Sequence, residues 1–230
     1  MAKIPLIIFG TENFAEIAFE YFTHDSDYEV VAFTVDKAYL KENEKFNLPV
    51  IPFEEIHKSL DPRNHFFFAA VTYGEINDLR SRILARAKNL GFAPASYISS
   101  KGFIWHNVTF GEHCFIFEDN TIQPFVKIGN NVVMWSGNHI GHHSQIMDNV
   151  FISSHVVISG NCSISNNCFL GVNSTLANNL SIGPRTWIGP GVLLTRDIPA
   201  GSLVTNSASK IKILDEDLLN SRLKQISNSD

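Results

Sequence analysis

Long apolar runs are absent from this chain of 230 residues: no stretch of about 18 consecutive apolar residues occurs, so the sequence offers no transmembrane helix. Cysteine is scarce. The 3 present, Cys114, Cys162 and Cys168, make no pair of disulfide or metal-ligand spacing, which argues against a disulfide scaffold and points to a reducing, cytoplasmic compartment. Charge is sparse as well, at 18%, and its balance is −5, so no basic surface for nucleic acid or anionic lipid is expected. The opening segment MAKIPLIIFG has one Lys before a short apolar run, without a long h-region or a small-residue cleavage site, and reads as the start of a patterned domain rather than a signal peptide. A G-x-G-x-x-G loop is also missing. The first glycine turn runs Gly10-Thr11-Glu12-Asn13-Phe14-Ala15, which argues against NAD.

What the sequence does hold is a period of six. From Ile98 through Ile104, Phe110, Ile116, Ile122, Ile128, Met134 and Ile140 to Ile182, Ile188 and Leu194, every sixth residue is large and apolar. In a chain with 44% hydrophobic residues, a chance run of that length has a probability of about one in a million. Four residues after the markers stand smaller inward positions: Val108, Cys114, Val126, Val132, Ser144, Val150, Val156, Cys162, Cys168 and Ser174. The cysteines thus read as compact core residues. A period of six is neither the helical 3.6 nor the plain strand's 2; it is the hexapeptide repeat of a parallel β-helix, whose three short strands make one triangular coil.

Residues 1–95 follow another rhythm. Ile4 to Phe9, Tyr28 to Val35, Val50 to Phe53 and His65 to Val71 read as strands; Asn13 to Phe22 and the stripe Leu79, Ile83, Ala87 and Leu90 read as helices. Strands alternating with helices imply a doubly wound parallel sheet. The expected fold class is therefore α/β plus β-helix: a small Rossmann-like domain over 1–95, a β-helix over 96–206, and a tail over 207–230. In that tail Leu214, Leu218, Leu219, Leu223 and Ile226 suggest a short amphipathic helix.

In such a coil, residues 18 apart lie one above the other, separated by about 4.8 Å. The segment from Asn138 to Ser144 puts His139, His142 and His143 on one corner, with Gly160 one coil above His142 and Asn178 one above that. A histidine beneath a glycine is chemically suggestive: the imidazole takes a proton near neutral pH, and the glycine leaves a backbone N–H open to polarise a thioester carbonyl. An isolated corner histidine is ordinarily idle; the clustering of His139, His142, His143 and His155 shifts the balance toward catalysis. A zinc site within one chain is disfavoured, because His106 and His142 lie two coils apart, about 9.6 Å, whereas ligands of one zinc sit within about 4 Å.

With these residues in view, the whole chain resembles the hexapeptide-repeat sugar acyltransferases of the sialic acid O-acetyltransferase and bacillosamine N-acetyltransferase type. The most specific stretch is NHIGHHSQIMDNVFISSHVVISGNCSISNNCFLG, from Asn138 to Gly171. Aligned through Gly160-Asn161 and Cys168-Phe169-Leu170-Gly171, the family's catalytic histidine falls on His142, its acidic partner on His143, and its acyl-oxygen-binding glycine on Gly160. The resemblance implies a left-handed coil, a homotrimer with active sites between subunits, acetyl-CoA as donor, no metal, and a nucleotide-linked sugar as acceptor. Three departures stand out. His143 replaces the acid, leaving His142 to be oriented by Asp119, Asp148 or a neighbouring chain. The loop at Gly10 lacks the usual glycine pairs. The usual Gly-x-Pro-Ala-Lys ending becomes Asn206-Ser-Ala-Ser-Lys210.

The expected activity is N-acetylation of a nucleoside-diphosphate-linked amino sugar, with His142 as base, the Gly160 N–H on the developing oxyanion, and Asn178 beside the acetyl-CoA site. Nucleotide contacts are expected at the carboxyl ends of the strands, from Gly10 and Thr11, Asp36 and Lys37, and Thr72 and Tyr73. His139 is a candidate for substrate contact and His155 for the subunit interface. Sugar O-acetylation, a non-catalytic nucleotide-sugar-binding scaffold and metal-dependent hydration are the rivals.

Overall fold

The computed structural model describes residues 3–207; the expected tail helix lies outside the described residues. Strand β1 (Ile4–Phe9) leads through α1 (Asn13–His24) to β2 (Tyr28–Val35), a hairpin of β3 (Glu44–Lys45) with β4 (Leu48–Pro52), the short α2 (Ile56–Ser59), β5 (Phe66–Ala69), α3 (Asp78–Asn89) and β6 (Ala93–Pro94). Their order in the sheet is β3-β4-β2-β1-β5-β6, with every pairing parallel except the hairpin. Side chains of β1 alternate between its faces. Leu6 and Ile8 join Phe14, Ala18 and Phe22 of α1, while Ile7 and Phe9 join Ile83 and Ala87 of α3.

The sequence-based boundaries shift at two strands. The expected Val50 to Phe53 is Leu48–Pro52, with Phe53 opening a 3-10 turn, and the expected His65 to Val71 is only Phe66–Ala69. The hairpin itself is not legible in the sequence, because one of its two left-handed turn residues, at φ 50° and 60°, is Phe46 beside Asn47.

From Tyr97 the chain winds into a parallel β-helix of two-residue strands. Among the described residues its three faces hold 7, 6 and 5 strands, pairing with residues 18 further on except at the last coil, where Trp187 meets Leu203. Inward markers such as Ile116, Ile122, Ile140, Ile152, Ile158 and Ile188 are fully buried, and each contributes about 2 kcal/mol of hydrophobic stabilisation. The first coil is the exception: Ile98 is 37% exposed and Ile104 and Phe110 are only half-buried, since no coil lies below to cover them. Cys114, Cys162 and Cys168 are buried, free thiols. The same inward positions also take Asn120 and Asn138. Asn138 Nδ2 donates to Asn120 Oδ1 at 2.9 Å, and the Val156 N–H donates to Asn138 Oδ1 at 2.7 Å, so the buried amides satisfy one another coil by coil.

The N-terminal sheet packs against the first face of the coil. Tyr97, Phe115, Val133, Phe151, Phe169 and Trp187 point outward there at successive coils, and the lower members of this column pack against Phe14, Tyr21 and Phe22 of α1. Two carboxylates clamp the same contact. Asp25 accepts from the Tyr97 hydroxyl at 2.7 Å and the Ser100 N–H at 3.0 Å; Glu118 accepts from the Tyr21 hydroxyl at 2.7 Å and from Ser136 at 2.6 Å. Among the described residues no helix is long and apolar enough to cross a membrane.

Candidate active site

The corner after Ile140 joins the second face of the coil to the third. Its backbone is fixed from below: the His142 N–H donates to Gln123 Oε1 at 2.9 Å and the His143 N–H to the Pro124 carbonyl at 3.1 Å. His143 occupies the left-handed turn position, φ 59°, which Asn161 and Asn179 fill one and two coils higher. Such positions tolerate Asn and His better than branched residues.

The His142 ring lies against Gly160, as the stacking arithmetic anticipates. A Cβ on Gly160 would stand 2.7 Å from His142 Nε2, so any side chain there would displace the imidazole. The Gly160 N–H is not open, however. It donates to Asn178 Oδ1 at 3.0 Å, so another acceptor reaches it only when the exposed Asn178 side chain turns aside. His142 Nδ1 faces His143 Nδ1 at 3.1 Å, with the rings 85° apart, and the His143 ring stacks on Phe125 at 4.6 Å between centroids. Both histidines are exposed.

Neither carboxylate offered by the sequence reaches this pair. Asp148 sits on another corner, past the strand Gln145–Ile146, where its Oδ1 accepts from the Asn130 N–H at 2.7 Å. Asp119 sits on the corner that opens the second face, bound through its own N–H to the Lys101 carbonyl. His139 is likewise not on the corner: it begins the strand His139–Ile140 and is half-buried between Thr121 and Val157. His155, left-handed at φ 57°, packs on Gly137 at the far end of that face.

The expected nucleotide residues divide into two groups. Gly10, Thr11 and Asp36 line a cavity of about 360 Å³ at the carboxyl ends of β1 and β2, together with Glu12, Tyr39 and Glu75. This is the crevice where the strand order reverses, since β1 connects to β2 on one side and pairs with β5 on the other. Gly10 has φ +113°, and a Cβ there would meet the Ala70 carbonyl oxygen at 3.1 Å. Asp36 is held by Arg86 through both carboxylate oxygens, at 2.5 and 3.2 Å. Lys37 lies outside that lining, paired with Glu55 at 3.4 Å. Thr72 and Tyr73 line a separate cavity of about 350 Å³, with Trp135, Phe151, Ser153 and Ser154 of the coil. The Tyr73 ring is committed edge-on to Phe151, Phe169 and Trp187.

Between these cavities runs a buried polar network that the sequence did not disclose. Arg80, fully buried, donates to Asn131 Oδ1 at 3.0 Å, to the Thr72 carbonyl at 2.7 Å and to Asn77 Oδ1 at 3.2 Å. Burial pushes its pKa down to about 9, so it stays protonated at neutral pH. His113 donates from Nδ1 to Asn131 Oδ1 at 2.8 Å and accepts at Nε2 from the Ala69 N–H at 2.9 Å; burial pushes its pKa down to about 3, and it is neutral. The amides continue upward, Asn131 to Asn149 to Asn167, and Asn167 grips Asp78 Oδ1 at 2.7 Å. This ladder holds the loop of Glu75, Ile76 and Asn77, three consecutive left-handed residues at φ 54°, 55° and 70°. The signal was available: His113, Asn131, Asn149 and Asn167 stand 18 apart, as do Phe125 and His143.

No family model matches the chain, and no curated protein matches it. Its fold matches solved structures over nearly its whole length. A mutant of perosamine N-acetyltransferase from Caulobacter crescentus, in complex with CoA and GDP-perosamine, superposes with a TM-score of 0.78 at 20% identity, covering 90% of this chain and 96% of that one. The acetyltransferase domain of PglB from Neisseria gonorrhoeae, in complex with acetyl coenzyme A, gives 0.78 at 20% identity, over 91% and 100%. WeeI from Acinetobacter baumannii gives 0.74 at 20%, over 89% and 98%. The chain shares their architecture, an α/β sheet domain followed by a parallel β-helix.

Proposed function

We propose that the protein is an acetyl-CoA-dependent N-acetyltransferase of a nucleoside-diphosphate-linked amino sugar. The observation that carries this reading is the His142 imidazole laid against a side-chain-free Gly160 on an exposed corner of the coil. Support comes from the shared fold, since one neighbour holds both CoA and GDP-perosamine and another holds acetyl coenzyme A. Acetyl-CoA supplies the activated carbonyl. His142 Nε2 takes the proton of the amine as its nitrogen bonds to that carbon; the carbon–sulfur bond breaks, and the same proton passes to the leaving sulfur, releasing free CoA thiol. The Gly160 N–H, freed from Asn178, receives the carbonyl oxygen as it gains charge, a contact worth about 3 kcal/mol. No covalent enzyme intermediate is needed when both substrates meet in one cleft.

The crevice at Gly10, Thr11 and Asp36 is assigned to the nucleotide, with Lys37 at its outer edge. Thr72, Tyr73 and His139 are assigned to the path of the sugar toward His142, and His143 completes the corner. The assembly is proposed to be a cytoplasmic homotrimer with its sites between subunits, in keeping with the exposed Phe103, Trp105 and Phe125.

The test follows thiol release and product mass with acetyl-CoA and a panel of UDP-, dTDP- and GDP-linked amino sugars, alongside their hydroxyl-only counterparts. Acetylation of one amino sugar with matching thiol release is expected. Turnover only with hydroxyl-only sugars would replace the reading by O-acetylation, and binding of a sugar with no thiol release would replace it by a non-catalytic scaffold.

A further inference from the structure

Two imidazole nitrogens 3.1 Å apart cannot both carry hydrogen: one Nδ1 donates and the other accepts. A base acting through Nε2 of His142 must hold its ring proton on Nδ1. The acceptor is then Nδ1 of His143, whose own proton resides on Nε2. We infer that His143 is a positioning residue, a neutral imidazole acceptor that fixes the tautomer and aim of His142 without a carboxylate. This inference rests on the reading of His142 as the base.

Three constraints leave His143 little freedom. Its backbone is in the left-handed region at φ 59°, its ring lies on Phe125 at 4.6 Å, and its N–H is tied to Pro124. No charged side chain is hydrogen-bonded to either ring among the described residues. The corner below contributes Gln123, Pro124 and Phe125, and the corner above Gly160 and Asn161, all neutral. The titratable groups nearby in the fold are His139 on the preceding strand, Lys127 on the strand beneath Gln145, and His106 two coils down, about 9.6 Å by the strand spacing.

A neutral acceptor differs from a carboxylate in what acid does to it. Only protonation of both rings puts hydrogen on both Nδ1 atoms and turns the contact from attractive to repulsive, since one added proton leaves an Nδ1–H···Nδ1 bond intact.

The experiment compares His143→Asn, His143→Asp and His143→Ala. Asn places Oδ1 where Nδ1 stands, accepts without titrating, and suits the left-handed backbone, as Asn161 and Asn179 do. His143→Asn should keep kcat within about threefold and keep the acid limb of kcat/KM. His143→Asp should move that limb to higher pH, because a carboxylate stabilises the imidazolium. His143→Ala should lower kcat about tenfold or more. Nitrogen NMR of the wild-type rings, taken without substrate, should find Nδ1 protonated on His142 and bare on His143. A bare Nδ1 on His142, or a His143→Ala enzyme with wild-type kcat and pH profile, would overturn the inference. If no sugar is acetylated by the wild type, the proposed activity fails on its own, and the NMR tautomers still decide the role of His143.

Discussion

At the corner that carries His142, the absence of one carbon atom sets the geometry. The ring occupies space that a Cβ on Gly160 would claim at 2.7 Å, and the ring belongs to an exposed side chain free to swing away. Gly160→Ala should therefore spare the fold and remove the proposed base from position. We expect a fall in kcat of about 100-fold with the thermal midpoint close to wild type, because general base catalysis contributes at least that factor. A variant with wild-type kcat would show that the ring works from another position. This much of the site was legible in the sequence, since counting 18 residues on from His142 reaches Gly160 and then Asn178. The partners below the corner stood out less, because Gln123 and Phe125 have no titratable group and act only by holding backbone and ring. That Asn178 already occupies the Gly160 N–H was also hidden, since spacing locates a side chain's coil but not its rotamer.

The repeat that discloses the coil's interior is silent about its outside. Inward markers recur every six residues, whereas each column packing against the sheet domain recurs only every eighteen, too seldom for a short window to register. The aromatic column from Tyr97 to Trp187 and the ladder from His113 through Asn167 are both of this kind. The ladder has a measurable consequence. His113 is held at a pKa of about 3, below the ordinary histidine value of about 6.5, so its stabilising contribution is complete above the unfolded value and is lost as pH falls from about 6.5 toward 3. The carboxylates of Asp25, held low by the Ser100 and Tyr97 hydrogen bonds, and of Glu118, held low by Ser136 and Tyr21 against the upward push of burial, extend the loss into stronger acid. Urea midpoints measured across this range should fall steeply for the wild type. His113→Gln, less stable at neutral pH, should show a flatter curve between pH 6.5 and 4, whereas parallel curves would place the acid sensitivity elsewhere.

Across the whole molecule, the sheet domain and the coil share one buried boundary. Arg80 ties the loop between the two cavities to the coil turn at Asn131, so the crevice at Gly10 and the coil's first face keep a fixed relation. The alternation of strands and helices followed by an unbroken period of six made this two-part architecture readable. The identity of the residues joining the parts was not, because contacts between Arg80 and Asn131, or between Tyr97 and Asp25, follow no local pattern. The central claim is that such a frame presents His142 as a base to an amine bound from the sheet side. Its most direct test is the steady-state rate of CoA thiol release by His142→Ala against wild type, on the amino sugar the wild type acetylates. A loss in kcat of about 100-fold or more, with the KM for the sugar nearly unchanged, is the expected result; a variant that releases thiol at the wild-type rate would contradict the account.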